Sequence, residues 1–367
     1  MKRYILPYSR KVLMRNKLNF YDFSLPKLQI YLSDQGFKKF SATQAFEWVY
    51  QKGEKDFNNM SNLALKVREF LNDTFTFQLP TISQEHISED GTIKLLVELK
   101  DGNLVETVLM RYNYGNVVCV TTQVGCNMGC RFCASGLLKK KRDLSAGEML
   151  GQVLLINEIL KNNNEAKLTT HVVLMGIGEP FDNFTNIIDF IDLLNNPKSL
   201  EIGARHITVS TCGLVPKIKE FADLKLQVKL AISLHAPTDE KRNQIMPINK
   251  AYPLKEVIAA VKYYEHKTNK RITYEYIMLK DFNDSLDDAR DLARLIKGTN
   301  GFVNLIPYNP VDEHAFARSP RDRTYAFANA LKKMGVQTTI RKEFGNDIDA
   351  ACGQLRAKEE EKRGDID

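Results

Sequence analysis

The sequence predicts an α/β protein whose larger part is built on a parallel sheet, either barrel-like or doubly wound. Three observations predict it. A helical segment opens the chain, a β-hairpin signal follows, and from Val117 strand-like runs alternate with helical periodicity to near the end.

The helical segment reaches to about Leu79. Ser41 and Gln44 have the spacing of a capping box ahead of Ala45, Phe46, Trp48 and Val49, and Ser61 reads as an N-cap ahead of Leu63, Leu65, Val67, Phe70 and Leu71. Lys38, Lys39, Lys52, Lys55, Lys66 and Arg68 decorate the segment, as either a solvated helical face or an RNA-docking surface. The hairpin is predicted from Thr92–Leu99 and Leu104–Met110, joined through Asp101-Gly102 as a type I′ turn.

Beyond it, the predicted strands are Val117–Gln123, His171–Met175, His206–Ser210, Gln227–Leu234, Ile272–Met278, Phe302–Ile306 and Gln337–Arg341. The helices between them carry start and stop signals. Ser145 and Glu148 form a capping box, Pro253 suits a first helical position, and Ser319-Pro320 opens a last helix that Gly335 closes. The charged tail from 358 to 367 is expected to be disordered. The domain expectation is therefore 1–80 helical accessory, 81–115 hairpin extension, 116–357 the α/β body and 358–367 tail.

The composition suits a globular chain of 367 residues, 43% hydrophobic and 26% charged. The excess of 52 Lys and Arg over 45 Asp and Glu, +7 in all, suits a polyanionic partner and is also common among ordinary enzymes. No apolar run approaches the roughly 18 residues of a membrane span, and the charges in MKRYILPYSRKVLMRNK do not suit a signal peptide. A cytoplasmic protein, monomeric by default, is expected.

Four of the six cysteines fall between Cys119 and Cys133. Cys126, Cys130 and Cys133 form a CxxxCxxC loop just past the first parallel strand. Soft thiolates select zinc or iron–sulfur, and an ordinary structural cluster takes four. Three in a tight loop leave one metal position open to a small ligand. A zinc site completed by a distant residue such as His235 is the alternative that the spacing alone leaves open. Gly176-Ile-Gly178-Glu179-Pro180 follows the second predicted strand, Ser210-Thr211 ends the third, Ser233-Leu234-His235 ends the fourth and Asn309 follows the sixth. In a barrel of parallel strands those ends open on one face.

These residues carry a resemblance. Val105-Glu106-Thr107, Cys119, QVGCNMGCRFCASG (123–136) with its Phe132, MGIGEPFDN (175–183), HITVST (206–211), SLHAP (233–237), MPIN (246–249), Asn309 and DIDAACGQLRA (347–357) resemble the RlmN-type dual-specificity adenine-C2 RNA methyltransferases, a radical S-adenosylmethionine (SAM) family. The resemblance covers most of the chain beyond residue 90 and is looser before it. It implies a partial (β/α)6-type radical SAM barrel with a small helical accessory domain and a hairpin extension. It also implies one [4Fe–4S] cluster on Cys126, Cys130 and Cys133, and two SAM molecules per turnover. Gly178 and Glu179 would hold the SAM amino group, and Ser210, Ser233, Leu234, His235 and Asn309 would contact the rest.

The implied substrates are adenine 2503 of 23S rRNA and adenine 37 of tRNAs. Cys352 would be methylated by the first SAM. A radical from the second would take a hydrogen from that S-methyl group, whose carbon then adds to C2. Glu106 would accept the C2 proton. Cys119 would release the product by forming a Cys119–Cys352 disulfide, which an external reductant must reopen. The radical step calls for a flavodoxin- or ferredoxin-like electron donor.

Taken apart from the family, several of these residues have a second meaning. Cys119, in Val-Val-Cys-Val, fits a small buried hydrophobe, as does Cys212, which is left as structural. Cys352 sits in a glycine-flanked polar loop that suits a reactive thiol. Glu106 on a strand reads as a solvent-facing carboxylate, and His235 as a hydrogen-bonded strand-end histidine. The run Lys139, Lys140, Lys141 and Arg142 is either solvated or in contact with phosphate at the mouth of the site. Two rival functions fit many of the same residues. One is the Cfr-type sister group, which methylates C8. The other is a non-catalytic iron–sulfur RNA-binding or redox-sensing protein, which would make no 5′-deoxyadenosine from SAM.

Overall fold

The computed structural model describes residues 17–136, 139–311, 313–345 and 347–348. The chain divides into two compact units, the first through Leu79 with Ser145–Gly151 and Ile188–Glu201, the second taking the rest.

The first unit holds helices α1 (Leu25–Asp34), α2 (Lys39–Tyr50) and α3 (Leu65–Thr74). Its core is aromatic: the Phe20 ring lies 5.7 Å from Phe57, 5.5 Å from Phe75 and 5.4 Å from Phe77. Both caps expected in this unit are corrected. Gly36, at φ +83°, closes α1, and the Phe37 amide reaches back to the Leu32 carbonyl. The chain re-enters helix at Lys39 behind an extended Lys38, so Ser41 and Gln44 fall inside α2. Ser61 lies in the turn that buries Leu63, and Ala64 is the residue that precedes α3.

The second unit is organised by a ten-stranded sheet. Its strands are β1 (Thr81–Ile87), β2 (Ile93–Glu98), β3 (Leu104–Tyr112), β4 (Gly115–Cys119), β5 (Thr169–Leu174), β6 (Ile207–Thr211), β7 (Lys229–Ser233), β8 (Ile272–Met278), β9 (Phe302–Pro307) and β10 (Thr338–Ile340). They neighbour one another in chain order. β1 to β4 form an antiparallel meander, and β4 to β10 run parallel. Between the parallel strands come α4 (Ala146–Asn162), α5 (Phe184–Asn195), α6 (Val215–Asp223), α7 (Asp239–Ile245) with α8 (Leu254–Thr268), α9 (Leu286–Leu295) and α10 (Arg321–Lys333). Six strand–helix units and a closing strand make the open (β/α)6-type arrangement expected of the sequence.

The first parallel strand is shorter than expected. β4 ends at Cys119, and Gln123–Val124 pairs separately with Arg142–Asp143. The hairpin turn also differs. Only Gly102 of the Asp101-Gly102 pair has positive φ. The Gly102 amide bonds the Leu99 carbonyl and the Leu99 amide bonds Asn103, which is a type I turn followed by a left-handed glycine. That left-handed step is the reason for glycine at this position.

The Ser145–Glu148 capping box is present, with Ser145 Oγ accepting from the Glu148 amide at 3.2 Å and the Ser145 amide donating to Glu148 Oε2 at 3.0 Å. Ser145→Ala should cost about 1 kcal/mol, read as a lower denaturation midpoint with unchanged slope. Among the described residues no helix is long and apolar enough to cross a membrane.

Candidate active site

The parallel strands place Cys119, the Gly176–Glu179 loop, Thr211–Cys212, His235, Asn309 and Arg341 at or just past their carboxyl ends. β3 runs the other way, with Val108 opposite Cys119. The beginning of β3 therefore lies beside the end of β4, and Thr121 Oγ1 donates to the Glu106 carbonyl at 2.6 Å. Antiparallel pairing thus delivers a carboxylate to the same face.

Two cavities open there. One, of about 300 Å³, is walled in part by Glu106, Val108, Cys119, Cys133, His235 and Asn309. The other, of about 200 Å³, is walled by Cys126, Cys130, Cys133, Gly178, Glu179, Ser210, Ser233 and His235 among others. Phe132, Cys133, Gly176, His235 and Arg341 belong to both walls.

Glu179 is 3% exposed, and its oxygens accept from the Phe181 amide at 3.0 Å and the Cys212 amide at 2.7 Å. Burial pushes its carboxyl up, against the pull of donors from Cys212 and Thr211. A cation in the second cavity would favour its charged form. Gly178, at φ +110°, could not carry a Cβ, which would lie 2.7 Å from Gln123 Cβ. Ser210 and Ser233 bring their hydroxyl oxygens within 3.4 Å of each other.

His235 adopts φ +60°, unusual outside glycine. Its Nδ1 accepts from the Ile277 amide at 3.1 Å, so the proton sits on Nε2. Burial, with Arg242 nearby, lowers its pKa to about 3, keeping the ring neutral. Leu234 is fully buried in the core and walls neither cavity; its carbonyl accepts from Arg242.

Cys126, Cys130 and Cys133 share the second cavity. Burial pushes the Cys126 thiol up to about 11 and Cys130 well above its usual value, with the neighbouring thiols adding to the rise. Three soft, clustered sulfurs are a donor set for an iron–sulfur group, whose irons would favour the thiolate form. Among the described residues no three His, Cys, Asp or Glu converge on a single metal-ion position.

Cys119 is part-buried, and burial raises its thiol to about 11, with Arg341 opposing the rise. The reading of Glu106 as solvent-facing is corrected. It is 3% exposed, and its Oε2 lies 3.1 Å from Lys94 Nζ. Lys140 is held by Asp143 and Asp182, and Arg142 by Asp101, while Lys139 and Lys141 are exposed. Cys352, like the tail from 358, lies outside the described residues.

Sequence reasoning missed three charged groups. Lys94 interrupts the apolar run Ile-Lys-Leu-Leu-Val, a signal that the sequence did carry. Arg341 walls both cavities. Arg242, fully buried, donates to the carbonyls of Cys212 (2.6 Å), Ser233 (3.2 Å) and Leu234 (3.1 Å) and to Asn249 Oδ1 (2.8 Å). It ties the ends of β6 and β7 together.

Comparison with known proteins agrees with this geometry. The profile described as the Radical SAM superfamily matches residues 120–296. One described as the ribosomal RNA large subunit methyltransferase N-terminal domain matches residues 18–76. A protein of Spiroplasma citri named as a probable dual-specificity RNA methyltransferase RlmN is 53% identical over 340 residues, 92% of this chain and 97% of its own. A protein of Bacillus subtilis with the same name is 51% identical over 350 residues, 95% of this chain and 96% of its own. The crystal structure of a radical SAM methyltransferase from Sphaerobacter thermophilus has a TM-score of 0.83 at 40% identity, covering 92% of this chain and 98% of that one.

Proposed function

Because this chain belongs to the RlmN family of radical SAM RNA methyltransferases, we propose that it methylates C2 of adenine 2503 in 23S rRNA and of adenine 37 in tRNAs through a methylated Cys352. As a radical SAM protein it uses an iron–sulfur cluster and SAM, and as an RNA methyltransferase it acts on RNA; the C8 activity of the Cfr type is not favoured. The observation that carries the reading is the shared cavity of Glu106, Cys119, Cys133 and Asn309. It brings a buried carboxylate and a second thiol beside the cysteine loop, an arrangement that a passive iron–sulfur protein has no use for.

In this reading Cys126, Cys130 and Cys133 hold one [4Fe–4S] cluster, and Glu179, Ser210, Ser233, His235 and Asn309 hold SAM beside it. Gly178 lets the loop close, and Leu234, buried behind the site, holds Arg242 through its carbonyl. When bound, the cluster and SAM supply a 5′-deoxyadenosyl radical, with an electron from a flavodoxin- or ferredoxin-like donor.

The remaining roles fall to the chain itself. Cys352 carries the methyl group as a thioether, so that its carbon bonds to C2 once a hydrogen has been removed. Glu106 takes the C2 proton, the C–H electron pair stays in the ring, and the unpaired electron that the addition left there would return to the bound cluster. Cys119 Sγ then bonds to Cys352 Sγ as the sulfur–methylene bond breaks. The bonding pair goes to the methylene carbon, which takes up a proton to become the methyl group. An external dithiol returns the two electrons that reopen the disulfide. Two SAM molecules are consumed. The base must be unstacked to present its C2 edge, and the run Lys139, Lys140, Lys141 and Arg142 would meet phosphate. The protein works in the cytoplasm as a monomer.

Nucleosides from 23S rRNA and tRNA of a host without its own such enzyme test the assignment. Expression of this protein should yield 2-methyladenosine in both RNAs. Appearance of 8-methyladenosine instead would overturn the C2 assignment.

A further inference from the structure

We propose that Lys94 is a positioning residue for proton removal, holding the Glu106 side chain in its place on the cavity wall. The proposal rests on the reading in which Glu106 takes the C2 proton. On β2 and β3, Leu96 stands opposite Glu106 and Lys94 opposite Val108. Lys94 and Glu106 therefore share one face of the sheet, one diagonal step apart, within reach for a long side chain. Glu106 and Val108 wall the cavity and Lys94 does not. The ammonium thus meets the carboxylate from the β2 side, away from the cavity.

Burial gives the pair its meaning. The two side chains are 0% and 2% exposed, and the flanking Ile93, Leu95, Leu96 and Val97 are all buried. A buried ion pair is a poor source of stability, because desolvation offsets most of the attraction and apolar replacements are often as stable. Packing alone would be satisfied by a leucine or methionine at position 94.

A proton acceptor has a different requirement. It must present an oxygen to the proton it removes when the base arrives. Lys94 Nζ, 3.1 Å from Glu106 Oε2, fixes the direction of that carboxylate. In the step itself the C2–H bond breaks, an O–H bond forms on Glu106, and the electron pair remains in the ring.

The test uses the reconstituted full-length enzyme with RNA carrying deuterium at the adenine C2. Lys94→Met should lower kcat for methylation by about 100-fold, the order lost with a general base. The first-turnover burst of 5′-deoxyadenosine, upstream of the proton transfer, should stay near the wild-type level. A C2 deuterium isotope effect larger than that of the wild type should appear, because proton removal has become the slow step. Lys94→Arg should recover most of the rate, and adding Lys94→Met to Glu106→Gln should cost little more.

Wild-type turnover and isotope effect in Lys94→Met, with Glu106→Gln inactive, would overturn this proposal alone. An active Glu106→Gln would overturn the reading of Glu106 beneath it. Should Lys94→Met fail to hold its cluster, Lys94→Gln against Lys94→Arg decides: the Arg variant must be the faster, and equal rates overturn the proposal.

Discussion

Cys119→Ala should leave the protein covalently joined to its RNA and lower turnover by on the order of 10⁴-fold, the scale at which a lone catalytic side chain is lost. Cys119 is the thiol outside the cysteine loop that shares a cavity with Glu106, and nothing before the release step calls on it. Methyl loading, addition to C2 and proton removal should all proceed, and the thioether should then persist. A denaturing gel should show RNA migrating with the protein, and nuclease digestion should leave a nucleotide on a peptide containing Cys352.

The wild type should show the same step through its pH dependence. The thiolate is the attacking form, and burial holds the Cys119 thiol up at about 11. A raised thiol ionises only as pH rises, so release should quicken about tenfold per pH unit on the acid side of that value. Single-turnover release after rapid mixing into buffers of rising pH checks the sign. Free methylated RNA from Cys119→Ala at the wild-type rate would remove Cys119 from the mechanism.

Cys130→Ala should have the other large effect, loss of the cluster and of all RNA methylation. Its sulfur walls the second cavity with Cys126 and Cys133, and burial pushes its thiol up. Alanine there removes one of three ligands with no spare thiol in the cysteine loop. Iron analysis should fall to background and 5′-deoxyadenosine should not form from SAM. The fold should survive, since the parallel sheet does not depend on the loop, and circular dichroism checks that point. Because each thiol must lose its proton to bind iron, cluster assembly in the wild type should release protons and be more favourable at higher pH.

Much of this was legible in the sequence because it depends on local pattern. β8 runs from Ile272 to Met278 as its apolar run predicts, and the Ser145–Glu148 box makes both of its bonds. The motifs at successive strand ends meet because parallel strands share one face, and that inference needs only order along the chain. What was illegible depends on how the chain turns back or on which buried charges meet. Ser41 failed as a cap because Gly36 turns the chain early enough for α2 to begin at Lys39.

Glu106 reads as solvent-facing in the sequence because a strand does not announce which of its faces will be covered. Only the register Leu96 opposite Glu106, with Lys94 a diagonal step away, shows that it is buried and paired. Arg242 stands in a charged stretch, Asp-Glu-Lys-Arg, that reads as a solvated helix. Its burial follows from the carbonyls at the ends of β6 and β7 that it must satisfy. Buried polar groups are specified by partners far away in sequence, so they are the last part of a site that a sequence discloses.

In the proposed mechanism the methyl carbon reaches RNA through a protein sulfur and loses a hydrogen on the way. Counting deuterium in the product tests it most directly. With SAM carrying a fully deuterated methyl group, 2-methyladenosine isolated from the RNA should retain two of the three deuterons, the third having been removed while the carbon was bound to Cys352. Retention of all three would mean direct transfer from SAM to the base, and would contradict the proposed roles of Cys352, Cys119 and Glu106.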